Sequence, residues 1–120
     1  SSDVSPATHL SFVYGLGWSA GPSYSVNNFD LSQWHYIVGV ATGNKQVFYL
    51  DGKQVAAKDT THGSVANDYN LQIARSSYTE RYFNGLIDEV QIYNVALPLA
   101  VVQQRYVEGL KRHQNLAKNR

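Results

Sequence analysis

Phe48-Tyr49-Leu50-Asp51-Gly52-Lys53 is the stretch whose reading decides the fold. An Asp-Gly pair between strand-like residues favours a two-residue type I′ turn, because both central positions need positive φ and these two residues tolerate it best. A hairpin over residues 46–57 follows, with Phe48 and Leu50 facing inward. The connection Thr42-Gly43-Asn44-Lys45 leads into it.

Outward from the hairpin the dominant period is two. Upstream, Trp34, Tyr36, Val38 and Val40 share one face, so 34–41 reads as a half-buried strand and the phase of His35 sends it to solvent. Leu10, Phe12, Tyr14 and Leu16 repeat the pattern over 9–16. Residues 17–23 form a Gly-, Pro- and Ser-rich loop, and 24–29 are a weaker strand that ends at Asn27-Asn28 and Asp30. Downstream, 59–70 are a polar connection, 71–74 a short strand, 75–81 a second polar loop and 82–94 the longest strand of all.

That last strand breaks parity. Phe83, Gly85 and Ile87 lie on one face, whereas Val90 and Ile92 have the opposite phase. The chain therefore either bulges near Asp88-Glu89 or turns Leu86, Asp88, Val90 and Ile92 inward together. After Asn94 the rhythm becomes helical. Pro98 suits a first turn, and Leu99, Val102, Tyr106 and Leu110 recur at helical spacing, so a terminal helix is expected over about 98–110, fraying at Gly109.

Composition agrees with an all-β reading. The 120 residues are 43% hydrophobic and 16% charged, and nine tyrosines, four phenylalanines and two tryptophans suit pleated, half-buried surfaces. A chain of this length buries roughly two thirds of its unfolded surface, enough for one core. With no cysteine, disulfides, thiolate metal sites and a cysteine nucleophile are excluded. No apolar run is long enough to cross a membrane, and residues 1–8 lack the pattern of a signal peptide.

The net charge of +1 is unevenly spread. Residues 1–110 carry six basic and nine acidic groups, whereas Lys111, Arg112, Lys118 and Arg120 make 111–120 a basic tail. Four cations without interleaved aromatics read as a solvated terminus, and nucleic-acid binding is not expected.

Three stretches then carry a resemblance: Trp34-His35-Tyr36-Ile37-Val38, Phe48-Tyr49-Leu50-Asp51-Gly52, and the run from Tyr82-Phe83-Asn84-Gly85 through Asp88-Glu89-Val90-Gln91-Ile92-Tyr93 to Leu97. In order and spacing they resemble laminin-G-like domains of the concanavalin A superfamily, over about residues 9–110. The resemblance implies an antiparallel jelly-roll β-sandwich, usually in secreted or cell-surface proteins. It also implies strands ahead of 9–16 for which no counterpart is found, so the domain over 1–110 looks like the rear part of such a sandwich. A sheet face or edge left open would be covered by the parent chain, a partner subunit or self-association, or the terminal helix would close a minimal sandwich.

The same resemblance directs the search for chemistry. Related glucanases place closely spaced carboxylates on one strand face, but Asp88 and Glu89 are adjacent and point apart, so no catalytic pair is expected. The four histidines lack metal-like spacing. The family often uses calcium, for which Asp88 and Asp68, with Asn67 or Asn70, are the candidate ligands. The plainer reading is that Asp88 accepts backbone hydrogen bonds at a bulge while the others make turns.

Sugar recognition wants an aromatic platform and planar polar groups. Trp18 and Tyr24 border one loop, and Arg75, Tyr78, Arg81 and Tyr82 border another, making these six the candidate ligand-binding residues. Trp34, Phe48 and Phe83 read as core. Two function classes result: a non-catalytic glycan-binding or adhesive module, with a glycan or extracellular protein as partner, and a structural subunit that contacts neighbouring chains. An accessory domain of a glycan-active enzyme is a variant of the first.

Overall fold

The computed structural model describes residues 9–12, 21–25, 30–59, 68, 70–75 and 82–118. Among them are five strands in two small antiparallel sheets and one C-terminal helix: β1 (His9–Ser11), β2 (Ser23–Ser25), β3 (Ile37–Ala41), β4 (Lys45–Leu50), β5 (Lys53–Asp59) and α1 (Leu99–Lys118). The chain is thus mostly β, as composition indicates, although the described strands do not amount to a complete jelly roll.

The Asp-Gly hairpin forms where expected. Asp51 and Gly52 both take positive φ, 52° and 78°, and β4 pairs with β5 from Leu50 opposite Lys53 outward. Opposite Phe48 and Tyr49 the register moves from Ala56 to Gln54, so Val55 is the extra residue of a bulge that bends β5. Gly52 is irreplaceable on two counts. A side chain there would have strained φ, and its Cβ would lie 3.2 Å from the Tyr106 ring of α1.

β4 is central and buried on both faces. On one face Val40 opposes Val47 and Val38 opposes Tyr49, and these pack under Val102 of α1, which is fully buried. Tyr36 and Leu97 close the edge of this cluster. On the other face Gly39 opposes Phe48, and the Phe12 ring just after β1 lies so close to Gly39 that any Cβ there would collide with it. Phe48 is 2% exposed as a result. The β3–β4 sheet is therefore covered by α1 on one side and by the β1–β2 end on the other.

Several expectations are corrected. Among the described residues, 82–94 form no ladder, apart from an isolated bridge between Arg75 and Tyr82, and Phe83 is 56% and Leu86 78% exposed. None of the backbone–backbone hydrogen bonds among the described residues involves positions 84–96. Alternation makes a segment fit a pleated surface, but a strand exists only through its neighbour. Glu89, at φ 55°, also interrupts the extended path at the parity break. Residues 71–74 likewise lie outside any ladder, with Ala74 at φ 67°.

The helix is longer than its apolar pattern. It starts at Leu99, where the Pro98 carbonyl accepts from Val101 N–H at 3.0 Å and Val102 N–H at 3.2 Å, and it continues past Gly109 to Lys118. Lys111, Arg112 and Lys118 therefore belong to its C-terminal half, where cations suit the helix dipole, rather than to a non-helical tail. Its docked stripe is Val102, Tyr106, Gly109 and His113; Leu99 and Leu110 are exposed.

Candidate functional site

The Arg75–Tyr82 bridge brings two of the six candidate ligand residues together. Phe83 N–H donates to the Ala74 carbonyl at 2.8 Å, closing the base of the loop between them. The left-handed Ala74 turns the chain into that bridge. Across the bridge, the Arg75 guanidinium carbon lies 5.8 Å from the centroid of the Tyr82 ring, within cation–π range, and the tyrosine remains 66% exposed. The pair offers a flat aromatic surface with a fixed cation beside it. Tyr24 sits in β2 opposite Leu10, half-buried, and is not part of that pair. Trp18, Tyr78 and Arg81 lie outside the described residues.

Asp88 and Asp68, the candidate calcium ligands, are both exposed. Asp88 Oδ1 accepts the Glu89 N–H at 2.8 Å, the turn chemistry expected at a parity break, and Oδ2 lies 3.6 Å from His113 Nε2. Glu89 is ion-paired to Arg112. The two adjacent carboxylates thus take different partners, both on α1. Calcium needs six to eight oxygens, and among the described residues no three His, Asp or Glu side chains gather as a metal-holding group.

Two arrangements escaped the sequence pattern. Trp34 is not core: it is 45% exposed, and its ring stacks on His113 with centroids 4.2 Å apart and planes 21° from parallel. His35, expected in solvent, is half-buried instead, with Nδ1 2.6 Å from Asp51 Oδ2 and Nε2 against the Asp30 carbonyl. The hairpin register contains the signal for this. Ile37 pairs with Leu50, so Tyr36 falls opposite Asp51 and His35 reaches the turn carboxylate.

This cluster is polarised. Asp51 Oδ1 accepts Tyr36 N–H at 2.9 Å, and Asp51 N–H donates to the Tyr36 carbonyl at 2.8 Å. Asp30 Oδ1 accepts both the N–H (2.9 Å) and the hydroxyl (2.6 Å) of Ser32; these bonds, with the charge of His35, hold its pKa below the ordinary carboxylate value. For His35, burial pushes the pKa down, but the hydrogen bonds to Asp51 and Asp30 and the two carboxylate charges outweigh it, leaving the pKa above the usual 6.5. Burial, then the charge of Tyr93, raises the Tyr36 phenol.

The laminin-G profile of the concanavalin A-like lectin/glucanases superfamily matches residues 2–103. Among solved structures, an S-layer domain-containing protein from Clostridium thermocellum (its residues 221–444) is 17% identical, with a TM-score of 0.49 over 75% of this chain and 47% of that one. The chain spans less than half the length of that structure. No curated protein matches.

Proposed function

The chain belongs to the concanavalin A-like lectin/glucanases superfamily, and from that premise we propose that it is a non-catalytic glycan-binding or adhesive module working at the cell surface or outside the cell. The observation that carries the reading is the Arg75–Tyr82 pair: an exposed phenol ring to cover the apolar face of a pyranose, beside a guanidinium whose planar donors suit sugar hydroxyls. A jelly-roll sandwich that includes further strands is the scaffold this reading assumes. Among the described residues no helix is long and apolar enough to cross a membrane.

Affinity electrophoresis through a panel of polysaccharides tests it. The wild-type chain is retarded by at least one polymer, and Tyr82→Ala and Arg75→Ala each abolish the retardation while keeping the wild-type far-UV circular dichroism. Unretarded migration of the wild type in every polymer would count against the glycan reading.

A second reading rests on a different surface. Among the described residues, 84–96 make no backbone pairing, and Leu86, Val90, Ile92 and Val95 are all exposed. Such a segment suits strand addition to another chain or to further strands, the role of a structural or assembly subunit. Native mass spectrometry separates the two readings. Assembly predicts higher species in the wild type that disappear in Leu86→Asp/Ile92→Asp, and a strictly monomeric wild type removes it.

A further inference from the structure

Histidine 35 joins three parts of the molecule that are distant in sequence: the 30–34 loop, the start of β3 and the β4–β5 turn. We propose that it acts as a pH-operated clasp, its protonated ring holding the 30–34 loop, and through Trp34 the docked end of α1, against the hairpin turn.

The argument starts from which groups can donate. Nδ1 faces the Asp51 carboxylate at 2.6 Å, and Nε2 faces the backbone carbonyl of Asp30. A carbonyl accepts only, and so does an ionised carboxylate, so both contacts are hydrogen bonds only when both ring nitrogens carry protons. That species is the imidazolium. In the neutral ring one nitrogen presents a lone pair to an oxygen lone pair, and one contact is lost. Among the described residues, the charged groups acting on the ring are Asp51 and Asp30, both carboxylates, which favour the same protonated form.

Either lost contact reaches beyond the ring. Releasing Asp30 frees the loop that ends at Trp34, whose ring is stacked on His113 of α1. Releasing Asp51 loosens the turn that carries Gly52, whose carbonyl accepts from Gln103 of α1 at 3.3 Å and whose Cα lies beneath Tyr106. His35 thus lies between two independent attachments of one helix. His113 itself faces Asp88, with Arg112 and Glu89 paired alongside, so a variant without that second imidazole isolates the effect of His35.

The experiment is a pH titration of the 120-residue chain by NMR, following the His35 ring protons and the Trp34 indole N–H together, in the wild type and in His113→Phe, which keeps the aromatic stack and removes the second imidazole. The expected result is a His35 midpoint above 6.5 and a shift of the Trp34 resonance with that same midpoint, retained in His113→Phe and lost in His35→Gln. A His35 midpoint at or below 6.5 overturns the clasp. So does a Trp34 resonance that stays still in His113→Phe while His35 titrates. Both readouts come from chains retaining His35, so poor folding of His35→Gln would not shield the proposal.

Discussion

Asp51 and Tyr36 grip each other twice: the Asp51 N–H donates to the Tyr36 carbonyl at 2.8 Å, and the Tyr36 N–H donates back to the Asp51 carboxylate at 2.9 Å. This exchange carries the β3–β4 pairing one step past the last ladder residues and into the turn. Asp51→Ala loses the side-chain acceptor and places a Cβ-bearing, non-hydrogen-bonding residue at φ 52°, and is expected to cost about 3 kcal/mol. Asp51→Asn keeps an acceptor and tolerates the left-handed backbone, and should cost about 1 kcal/mol. Urea denaturation of the two variants measures the difference; equal losses would mean that the carboxylate charge, and not the backbone grip, sets the cost.

The raised pKa of His35 fixes the sign of a pH effect on stability. A group whose folded pKa lies above its unfolded value of 6.5 contributes fully below that value, and the contribution fades as pH rises through the folded pKa. Thermal melts should therefore show a midpoint that falls from mildly acidic to mildly alkaline buffer. In His35→Gln that part of the slope should vanish.

Docking of α1 through Val102 rather than through Leu110 is directly testable. Val102 is fully buried in the cluster with Val40, Val47 and Tyr49, so Val102→Ala should cost about 2 kcal/mol. Leu110 is exposed, and Leu110→Ala should cost less than about 0.5 kcal/mol. Denaturant midpoints that rank the two variants the other way would place the docked stripe about 80° around the helix.

Ala74 has the opposite expectation. At φ 67° it pays the left-handed penalty of a Cβ-bearing residue, and Ala74→Gly should stabilise the chain by up to about 1 kcal/mol once the extra freedom of glycine in the unfolded state is subtracted. Differential scanning calorimetry reads the sign, and a lower melting temperature would show that the left-handed backbone at this position carries little strain.

Calcium should leave the melting temperature unchanged. Asp88 gives one oxygen to a backbone N–H and directs the other toward a histidine, so it has little to offer an ion that demands many oxygens. Scanning calorimetry in millimolar calcium and in chelator makes the comparison.

What was legible in the sequence was local. Asp51-Gly52 specifies its turn through the φ values it tolerates, and the turn fixes the register that buries Phe48 and places Val38 and Val40 under the helix. Pro98 marks the helix start for an equally local reason. What was not legible depends on a second element. The phase of β3 sent His35 outward, yet regular pairing stops at Ile37 and the chain ahead of it curves onto the turn. Trp34 followed the same face as Val38 but meets a histidine 79 positions later in the sequence. Beyond its apolar stripe α1 is held by Arg112 on Glu89 and His113 on Asp88, contacts that no helical period contains. Of the glycan candidates among the described residues, Arg75 and Tyr82 are joined by their bridge, two residues that the sequence named separately.

Among the described residues, 84–96 carry no backbone pairing, and this has a mechanical meaning. The segment is a tether that reaches the helix through side chains, Glu89 on Arg112 and Asp88 on His113, while Val102 and Tyr106 seat the helix on the hairpin and His113 stacks on Trp34. A protease cut within the tether would turn one folded chain into two pieces that remain associated, and the affinity between them would become a direct measurement of how strongly the helix is held.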